Sequence, residues 1–265
     1  MIFSWWNTHR RDLPWRHTHD PYKILVSEVM LQQTQVLRVL PKYAEFTQAY
    51  PTVQELAKAS PAQVLRVWKG MGYNRRALYL HKTAQIVVQN YSGGFPIDEK
   101  LLTKLPGLGK YTARAVLVFA YKQNISLVDT NIRQIIIHFF YNDKPQKESV
   151  IQDSADQLLP KGKAWEWHQA LMDFGALRLA RARSGQAFGN KDRQRQKPFK
   201  DSNRFYRGRI IDRLREGDVH EKVLIRKFSS KYSKTNEFLH SIIESLVRDG
   251  LIERVKHETL QLPEK

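Results

Sequence analysis

The stretch Leu105-Pro106-Gly107-Leu108-Gly109-Lys110-Tyr111-Thr112-Ala113 combines an apolar lead-in, a Pro-Gly-x-Gly turn and the first residues of a new helix. Two glycines let a backbone approach an obstacle closely, and the N-terminus of the following helix offers unpaired N–H groups and a positive dipole end to a phosphate. The pattern predicts a hairpin that holds a DNA backbone without reading its sequence. Taken alone, it would also suit a purely structural reversal between two helices.

A second segment, Val128-Asp129-Thr130-Asn131-Ile132-Arg133, follows the hairpin helix. Asp129 stands at the predicted start of another helix, where an aspartate caps the helix by accepting backbone N–H bonds. Local evidence alone therefore predicts a cap at this position.

A third segment, Ser27-Glu28-Val29-Met30-Leu31-Gln32-Gln33-Thr34-Gln35-Val36, carries another carboxylate. The apolar neighbours of Glu28 predict burial, which raises the pKa of a carboxyl group, as a general acid requires. An exposed glutamate on a helix face is the alternative.

The charge of the chain points to a polyanionic partner. Lysine and arginine outnumber aspartate and glutamate by 44 to 26, which gives a net charge of +18 and an isoelectric point near 10.0. Nucleic acid is favoured over a membrane surface, because no apolar stretch is long enough to span a bilayer and 11% of the residues are aromatic. A merely basic soluble protein is the alternative.

Cysteine is absent, which excludes disulfides, thiolate zinc sites and iron–sulfur clusters held by thiolates. The histidines show no metal-ligand spacing, so we predict no metal site. The N-terminus lacks the basic start and long apolar core of a secretory signal, which indicates an intracellular protein.

The apolar periodicity is helical from Pro21 onward and predicts helices over 63–68, 75–91, 110–121, 130–140, 148–159 and 163–181. Three short helices are predicted over 203–215, 221–228 and 236–249, followed by a hairpin over 250–255 and 258–262. Three helices followed by a two-stranded wing are the order of a winged-helix module, which could contact DNA or protein.

The three segments, together with Leu13-Pro14-Trp15-Arg16 and Gly70-Met71-Gly72-Tyr73, resemble the helix-hairpin-helix (HhH-GPD) DNA glycosylase superfamily from Trp5 to about Ala180. Within it, the motifs are most similar to the A/G-specific adenine DNA glycosylases of the MutY type. The resemblance implies a mainly α, two-lobed glycosylase fold, here followed by the small winged-helix domain.

The resemblance also implies a mechanism. Glu28 would protonate a ring nitrogen of a flipped adenine, and Asp129 would stabilise the sugar cation, with Tyr111 and Asn131 completing the catalytic set. Bifunctional relatives carry a lysine where this chain has Tyr111. Since a phenol cannot form a Schiff base, a monofunctional enzyme is expected.

Further residues are assigned to DNA by the same resemblance. Gln33 and Thr34 would fill the gap left by the flipped base, while Met71 and Tyr73 would act as a wedge and a stacking surface, with core packing as their alternative. Trp15 and Arg16 would line the adenine pocket or, alternatively, anchor the N-terminus. The hairpin residues complete the set: Gly107, Gly109 and Lys110.

Two departures from the family matter. The four cysteines that bind an iron–sulfur cluster in most members are replaced by a basic run over 178–200, predicted to contact phosphates or, alternatively, to serve as a tether. The domain that senses 8-oxoguanine is replaced by the winged-helix module, which leaves guanine and 8-oxoguanine open as the opposite base. We predict a glycosylase domain over 1–182, a basic linker over 183–200 and a winged-helix domain over 201–265.

Taken together, these features predict a monomeric, cytoplasmic and nucleoid-associated enzyme of base excision repair that acts on mismatched or damaged double-stranded DNA. No cofactor is implied, with a monovalent cation at the hairpin as the one candidate. The alternatives are a thymine or uracil glycosylase acting at G mismatches and a non-catalytic winged-helix DNA-binding protein.

Overall fold

The computed structural model describes residues 1–179 and 199–264, which fold mainly into helices, as the sequence predicts. The chain divides into two compact units. The first consists of Met1–Gln32 and Phe95–Lys191, and the second of Gln33–Gly94 and Asp192–Lys265. Each unit is therefore built from two separate stretches of the chain.

The first unit packs helices around a core that includes Leu25, Val116 and Ile136. The elements are α1 (Ile2–His9), a 3₁₀ turn (Pro14–Arg16), α2 (Pro21–Leu31), α7 (Glu99–Leu102), α8 (Lys110–Phe119), α9 (Thr130–Tyr141), α10 (Glu148–Leu158), α11 (Ala164–Phe174) and a π-helical segment (Gly175–Leu179). Helix α1 packs on α11, α2 packs on α8, and α9 packs on both α10 and α11.

The second unit begins with α3 (Val36–Ala49), α4 (Val53–Lys58), α5 (Pro61–Val67) and α6 (Arg75–Tyr91). Capping boxes start α4 at Thr52 and α5 at Ser60, because each cap side chain accepts the N–H of the residue three positions on and each cap N–H donates to that residue's side chain. Trp68 and Phe46 are fully buried in this part of the unit.

The C-terminal segment adds α12 (Asn203–Leu214), β1 (Val219–His220), α13 (Glu221–Tyr232), α14 (Asn236–Arg248), β2 (Glu253–Val255) and β3 (Thr259–Gln261) to the second unit. The strands form an antiparallel sheet in the order β1-β3-β2, with Leu260 opposite both Val219 and Arg254. The predicted helices and hairpin are present, whereas β1 was not predicted. The winged-helix designation stays a prediction.

The compact units cut the chain at other places than the predicted domain boundaries, which stay a prediction. Most of the basic run and of the predicted linker lies outside the described residues. Within the described ranges, no helix combines the length and the apolar composition needed to cross a membrane.

Candidate active site and DNA-binding elements

Glu28 lies in the third turn of α2, between the core residues Val26 and Val29. Pro21 and the Asp20 cap, which accepts the N–H of Tyr22 at 2.9 Å, fix the start of this helix. Glu28 is only 8% exposed. Its pKa is raised to about 7, because burial outweighs the lowering effect of a hydrogen bond from Tyr111 and the negative charge of Asp129 adds to the rise.

Tyr111 is the second residue of α8 and donates its hydroxyl hydrogen to the Glu28 carboxylate. Burial holds the pKa of Tyr111 well above its usual value, and the charges of Glu28 and Asp129 act in the same direction. The phenol is therefore neutral at any physiological pH and remains a hydrogen-bond donor.

Asp129 caps α9. One carboxylate oxygen accepts the backbone N–H of Ile132 at 2.7 Å, and the other accepts the side-chain amide of Asn131 at 2.8 Å. Burial raises the pKa of Asp129, while these hydrogen bonds and the charge of Arg11 oppose the rise. Asp129 interacts electrostatically with both Glu28 and Tyr111, so the three groups form one cluster.

Gly175 fixes the position of Asn131. A Cβ atom at residue 175 would lie 2.6 Å from the Cβ of Asn131, so only glycine allows the π-helical segment to approach this closely. The sequence analysis did not identify Gly175 as part of the site.

Asp173 is a further residue that the sequence analysis missed. Its carboxylate has no exposure and accepts hydrogen bonds from Trp6 Nε1 at 2.9 Å, from Arg16 Nη1 and Nη2 at 2.8 Å each, and from the backbone and side chain of Arg11. Burial opposes ionisation of Asp173, but the two arginines outweigh it and lower the pKa. A carboxylate on the buried face of an amphipathic helix was the available sequence signal.

These contacts also show where Arg16 and Trp15 lie. Arg16 is held by Asp173, as the N-terminal anchor alternative requires, while its buried Nε has no hydrogen-bond partner among residues 1–179 and 199–264. Trp15 is 8% exposed. Both side chains are buried in the first unit.

The predicted hairpin forms a tight glycine turn directly before α8. Leu108 N–H closes the turn on the carbonyl of Leu105 at 3.2 Å, and Gly107 has the left-handed φ of +77° that favours glycine. Gly109 caps α8 with a φ of −87°, which any residue can adopt, and a Cβ at this position would meet nothing within 4 Å. Lys110 is exposed.

The remaining predicted DNA contacts belong to the second unit. Gln33 is exposed between α2 and α3 with a left-handed φ of +54°, and Thr34 Oγ1 accepts a hydrogen bond from Arg76 Nη2 at 3.2 Å. Tyr73 is 38% exposed, as a stacking surface requires. Met71 is 2% exposed, a placement that favours the core-packing alternative over an exposed wedge.

A cavity of about 690 Å³ in the first unit does not coincide with the carboxylate cluster. Its lining includes Trp5, Trp167 and Phe174, and neither Glu28 nor Asp129 contributes to it. The hydrogen-bonded cluster, rather than this apolar cavity, holds the groups able to transfer a proton or stabilise a cation.

Comparisons with known proteins identify the family to which this chain belongs. The family profile described as HhH-GPD superfamily base excision DNA repair protein matches residues 26–161. An adenine DNA glycosylase of Mycobacterium tuberculosis is 34% identical over 99% of this chain and 92% of its own length. A thymine/uracil-DNA glycosylase of Methanothermobacter thermautotrophicus is 35% identical over 66% of this chain and 81% of its own. The solved structure of a thermostable thymine-DNA glycosylase matches with a TM-score of 0.62 and 34% identity, covering 66% of this chain and 83% of that one.

Proposed function

Because the chain belongs to the HhH-GPD superfamily of base excision DNA repair proteins, we propose that it flips a mismatched adenine out of duplex DNA and hydrolyses its N-glycosidic bond. The observation that carries the proposal is the cluster that the buried Glu28 forms with the half-buried Tyr111 and Asp129. Its two carboxylates differ in hydrogen bonding, as an acid and an anion with separate roles should.

Glu28 is the general acid. With a pKa of about 7, a large fraction of this carboxyl group is protonated at neutral pH and can give its proton to a ring nitrogen of adenine. The leaving base then departs as a neutral molecule. Tyr111 holds the Glu28 carboxyl in place and stabilises the carboxylate that proton transfer produces.

Asp129 supplies the negative charge that stabilises the transition state. Cleavage of a glycosidic bond passes through an oxocarbenium-like transition state, which a nearby carboxylate stabilises. The bonds from Ile132 N–H and Asn131 keep the carboxylate oriented, and Arg11, held in turn by Asp173, opposes the rise in its pKa. Asn131, Gly175 and Asp173 are therefore positioning residues for this anion.

The enzyme is expected to release the base without cutting the strand. Tyr111 occupies the place of the lysine that forms a Schiff base in bifunctional relatives, and a phenol cannot form one. Lys110, next to it, is exposed at the start of α8 and would face a phosphate.

The duplex would be held by the hairpin and the overall positive charge, and probed by Gln33, Thr34 and Tyr73, while Arg16, held by Asp173, would anchor the N-terminal segment. Backbone carbonyls of the 105–109 turn are oxygen donors that a monovalent cation could bind. Across residues 1–179 and 199–264, no three acidic or histidine side chains group as metal ligands. We further propose that the protein acts as a monomer on mismatched DNA in the nucleoid.

Removal of thymine or uracil at G mismatches is the second candidate. It is favoured by the relative and the solved structure that match two thirds of the chain at 35% and 34% identity. The adenine glycosylase match extends over nearly the whole chain and includes the C-terminal segment, so adenine is the primary proposal.

The test is a base-release assay under single-turnover conditions. Duplexes with A, T or U opposite G and with A opposite 8-oxoguanine are compared with matched DNA. We expect adenine release by the wild type, and a loss of roughly 10²–10³-fold in rate in Asp129→Asn, whose mismatch affinity stays within about tenfold of wild type. Borohydride should trap no covalent adduct.

Release of T or U without A would replace the proposal with the second candidate. Release of no base from any duplex would support a non-catalytic DNA-binding role. Efficient borohydride trapping would overturn the monofunctional mechanism.

A further inference from the structure

Tyr73 stands on a loop whose backbone needs external support. Gly70 and Gly72 have φ values of +88° and +67°, and Tyr73 itself has +46°, a left-handed conformation that non-glycine residues rarely adopt. Trp68 Nε1 donates to the carbonyl of Gly72 at 3.1 Å, and Arg76 Nη2 donates to the carbonyls of Met71 and Gly72 at 3.2 and 3.3 Å. These hydrogen bonds hold the backbone of the loop but do not involve the Tyr73 ring.

Arg204 supplies those contacts from the C-terminal segment. It is the second residue of α12, it donates a hydrogen bond from Nη1 to the Tyr73 hydroxyl, and its Cζ lies 5.4 Å from the centre of the Tyr73 ring. Arg76 Cζ lies at the same distance of 5.4 Å from that ring. Two guanidinium groups, one from each part of the second unit, therefore hold one exposed phenol.

The rest of the C-terminal segment is fixed to the same loop region. Arg215, just after α12, donates from Nε to the carbonyl of Leu65 at 2.9 Å and from Nη2 to Asn74 Oδ1 at 3.1 Å. Arg75 pairs with Asp249 at 3.6 Å, and Ala62 N–H bonds the carbonyl of Pro263 at 2.8 Å. Arg204 is thus presented to Tyr73 by a segment anchored at several points.

We propose that Arg204 is a positioning residue that fixes the Tyr73 ring for stacking between bases, so that the C-terminal segment helps to tell a mismatched pair from a matched one. The inference rests on the proposed function, in which Tyr73 probes the duplex. A ring that is already held in its stacking orientation loses less rotational freedom when DNA binds. This entropic advantage arises only on a duplex into which the ring can insert.

An arginine near DNA could instead bind a phosphate, and the two roles predict different results. Loss of a phosphate contact weakens binding to matched and mismatched duplexes equally and flattens the salt dependence, whereas loss of positioning changes the ratio of the two affinities. Arg204→Lys separates the roles further, because lysine keeps the charge but lacks the planar group that stacks on tyrosine.

The experiment is a double-mutant cycle with Arg204→Met, Tyr73→Phe and the double variant, measuring affinity for duplexes with A opposite G and with A opposite T. We expect Arg204→Met to lower the mismatch-over-match ratio about fivefold, and the double variant to be no worse than the poorer single variant. Arg204→Lys should recover little of the loss. Arg209→Met is the matched control on the same helix, where Arg209 stacks on Phe205 at 5.2 Å, and it should keep the wild-type ratio.

A second cycle with the same variants, by urea unfolding without DNA, tests the Arg204–Tyr73 contact itself. The two substitutions should be non-additive, with a coupling of about threefold or more in the unfolding constant. If the protein releases no base but this coupling is present, the proposed function fails and the contact stands. Additive unfolding effects, or an unchanged affinity ratio in Arg204→Met in an active enzyme, would overturn the inference.

Discussion

Glu28 shows how one buried carboxyl group couples catalysis to stability. Because burial raises its pKa from 4.5 to about 7, the folded protein holds a proton that the unfolded chain releases between these two values. The contribution of Glu28 to stability is therefore fully present below pH 4.5, falls as the pH rises towards 7, and is lost above it. In the proposed mechanism, this same proton is transferred to the leaving base.

The pH dependence of adenine release follows from the cluster. The rate should fall tenfold per pH unit on the alkaline side, above an apparent pKa near 7, because Glu28 must be protonated. It should also fall in acid, because Asp129 must be ionised. Single-turnover rates from pH 4.5 to 9 test this, and the two apparent pKa values belong to the coupled pair. A rate that is flat from pH 6 to 9 would exclude Glu28 as the acid.

Glu28→Gln should abolish adenine release, with a loss of about 10²–10⁴-fold, because an amide cannot donate the proton. The same variant should be more stable than wild type at pH 8, by up to about 2–3 kcal/mol, and equally stable near pH 4.5. Urea unfolding at both pH values measures the difference. Glu45→Gln, at an exposed glutamate paired with Lys42, is the control and should show no such pH-dependent gain.

At the scale of elements, two helix N-termini build the site. Helix α8 begins behind the hairpin at Gly109, and α9 begins at the Asp129 cap. Both starts are encoded locally, by a glycine turn in one case and a capping aspartate in the other. Gly109 is notable because neither its φ nor its surroundings in the protein require glycine, so the open space at this position suits a ligand that approaches the backbone.

Gly109→Ala should therefore separate folding from binding. Unfolding free energy should be unchanged or higher by about 0.5 kcal/mol, because alanine restricts the unfolded chain. Duplex affinity should fall about tenfold, because the methyl group obstructs a phosphate at the helix N-terminus. Gly208→Ala, where a Cβ also meets nothing within 4 Å, is the control, and its duplex affinity should stay at the wild-type value. Unchanged affinity in Gly109→Ala would remove the hairpin from the DNA interface.

At the scale of the whole molecule, contacts between residues far apart in sequence hold each unit together. In the first unit, Asp173 ties α11 to the N-terminal segment through Trp6, Arg11 and Arg16. In the second, α12 is joined to the loop before α6 by Arg204 and Arg215. Asp129 depends on the contacts in the first unit, since Asp173 holds the Arg11 charge that acts on it.

Asp173→Asn tests the contacts that Asp173 makes in the first unit. Two arginines then lose a buried anionic partner, so the free energy of unfolding should fall by about 3 kcal/mol near neutral pH. Because the pKa of Asp173 is lowered in the folded state, the difference from wild type should shrink as wild type is acidified through that pKa. Glu148→Gln, which breaks an exposed pair with Arg133, should cost less than about 1 kcal/mol. Equal costs for both variants would contradict a structural role for Asp173.

The sequence alone determined the local features of this protein. The predicted bounds of α6 match those observed, and the starts of α8 and α9 are correct, because periodicity, caps and glycine turns act over a few residues. Burial of Glu28 also followed from its neighbours along the chain. Helix α1 and the short helices α4 and α7 were not predicted, since their patterns are too brief to stand out.

Only the tertiary structure decided which distant groups meet. The clamp around Asp173, the approach of Gly175 to Asn131, the pairing of β1 with β3 and the contact of Arg204 with Tyr73 join residues that no local pattern relates. Met71 belongs to the same class, because its burial depends on the packing around the loop. The physical reason is that each of these contacts forms only when the packing of other elements brings residues distant in sequence together, so its partners are selected by the folded chain.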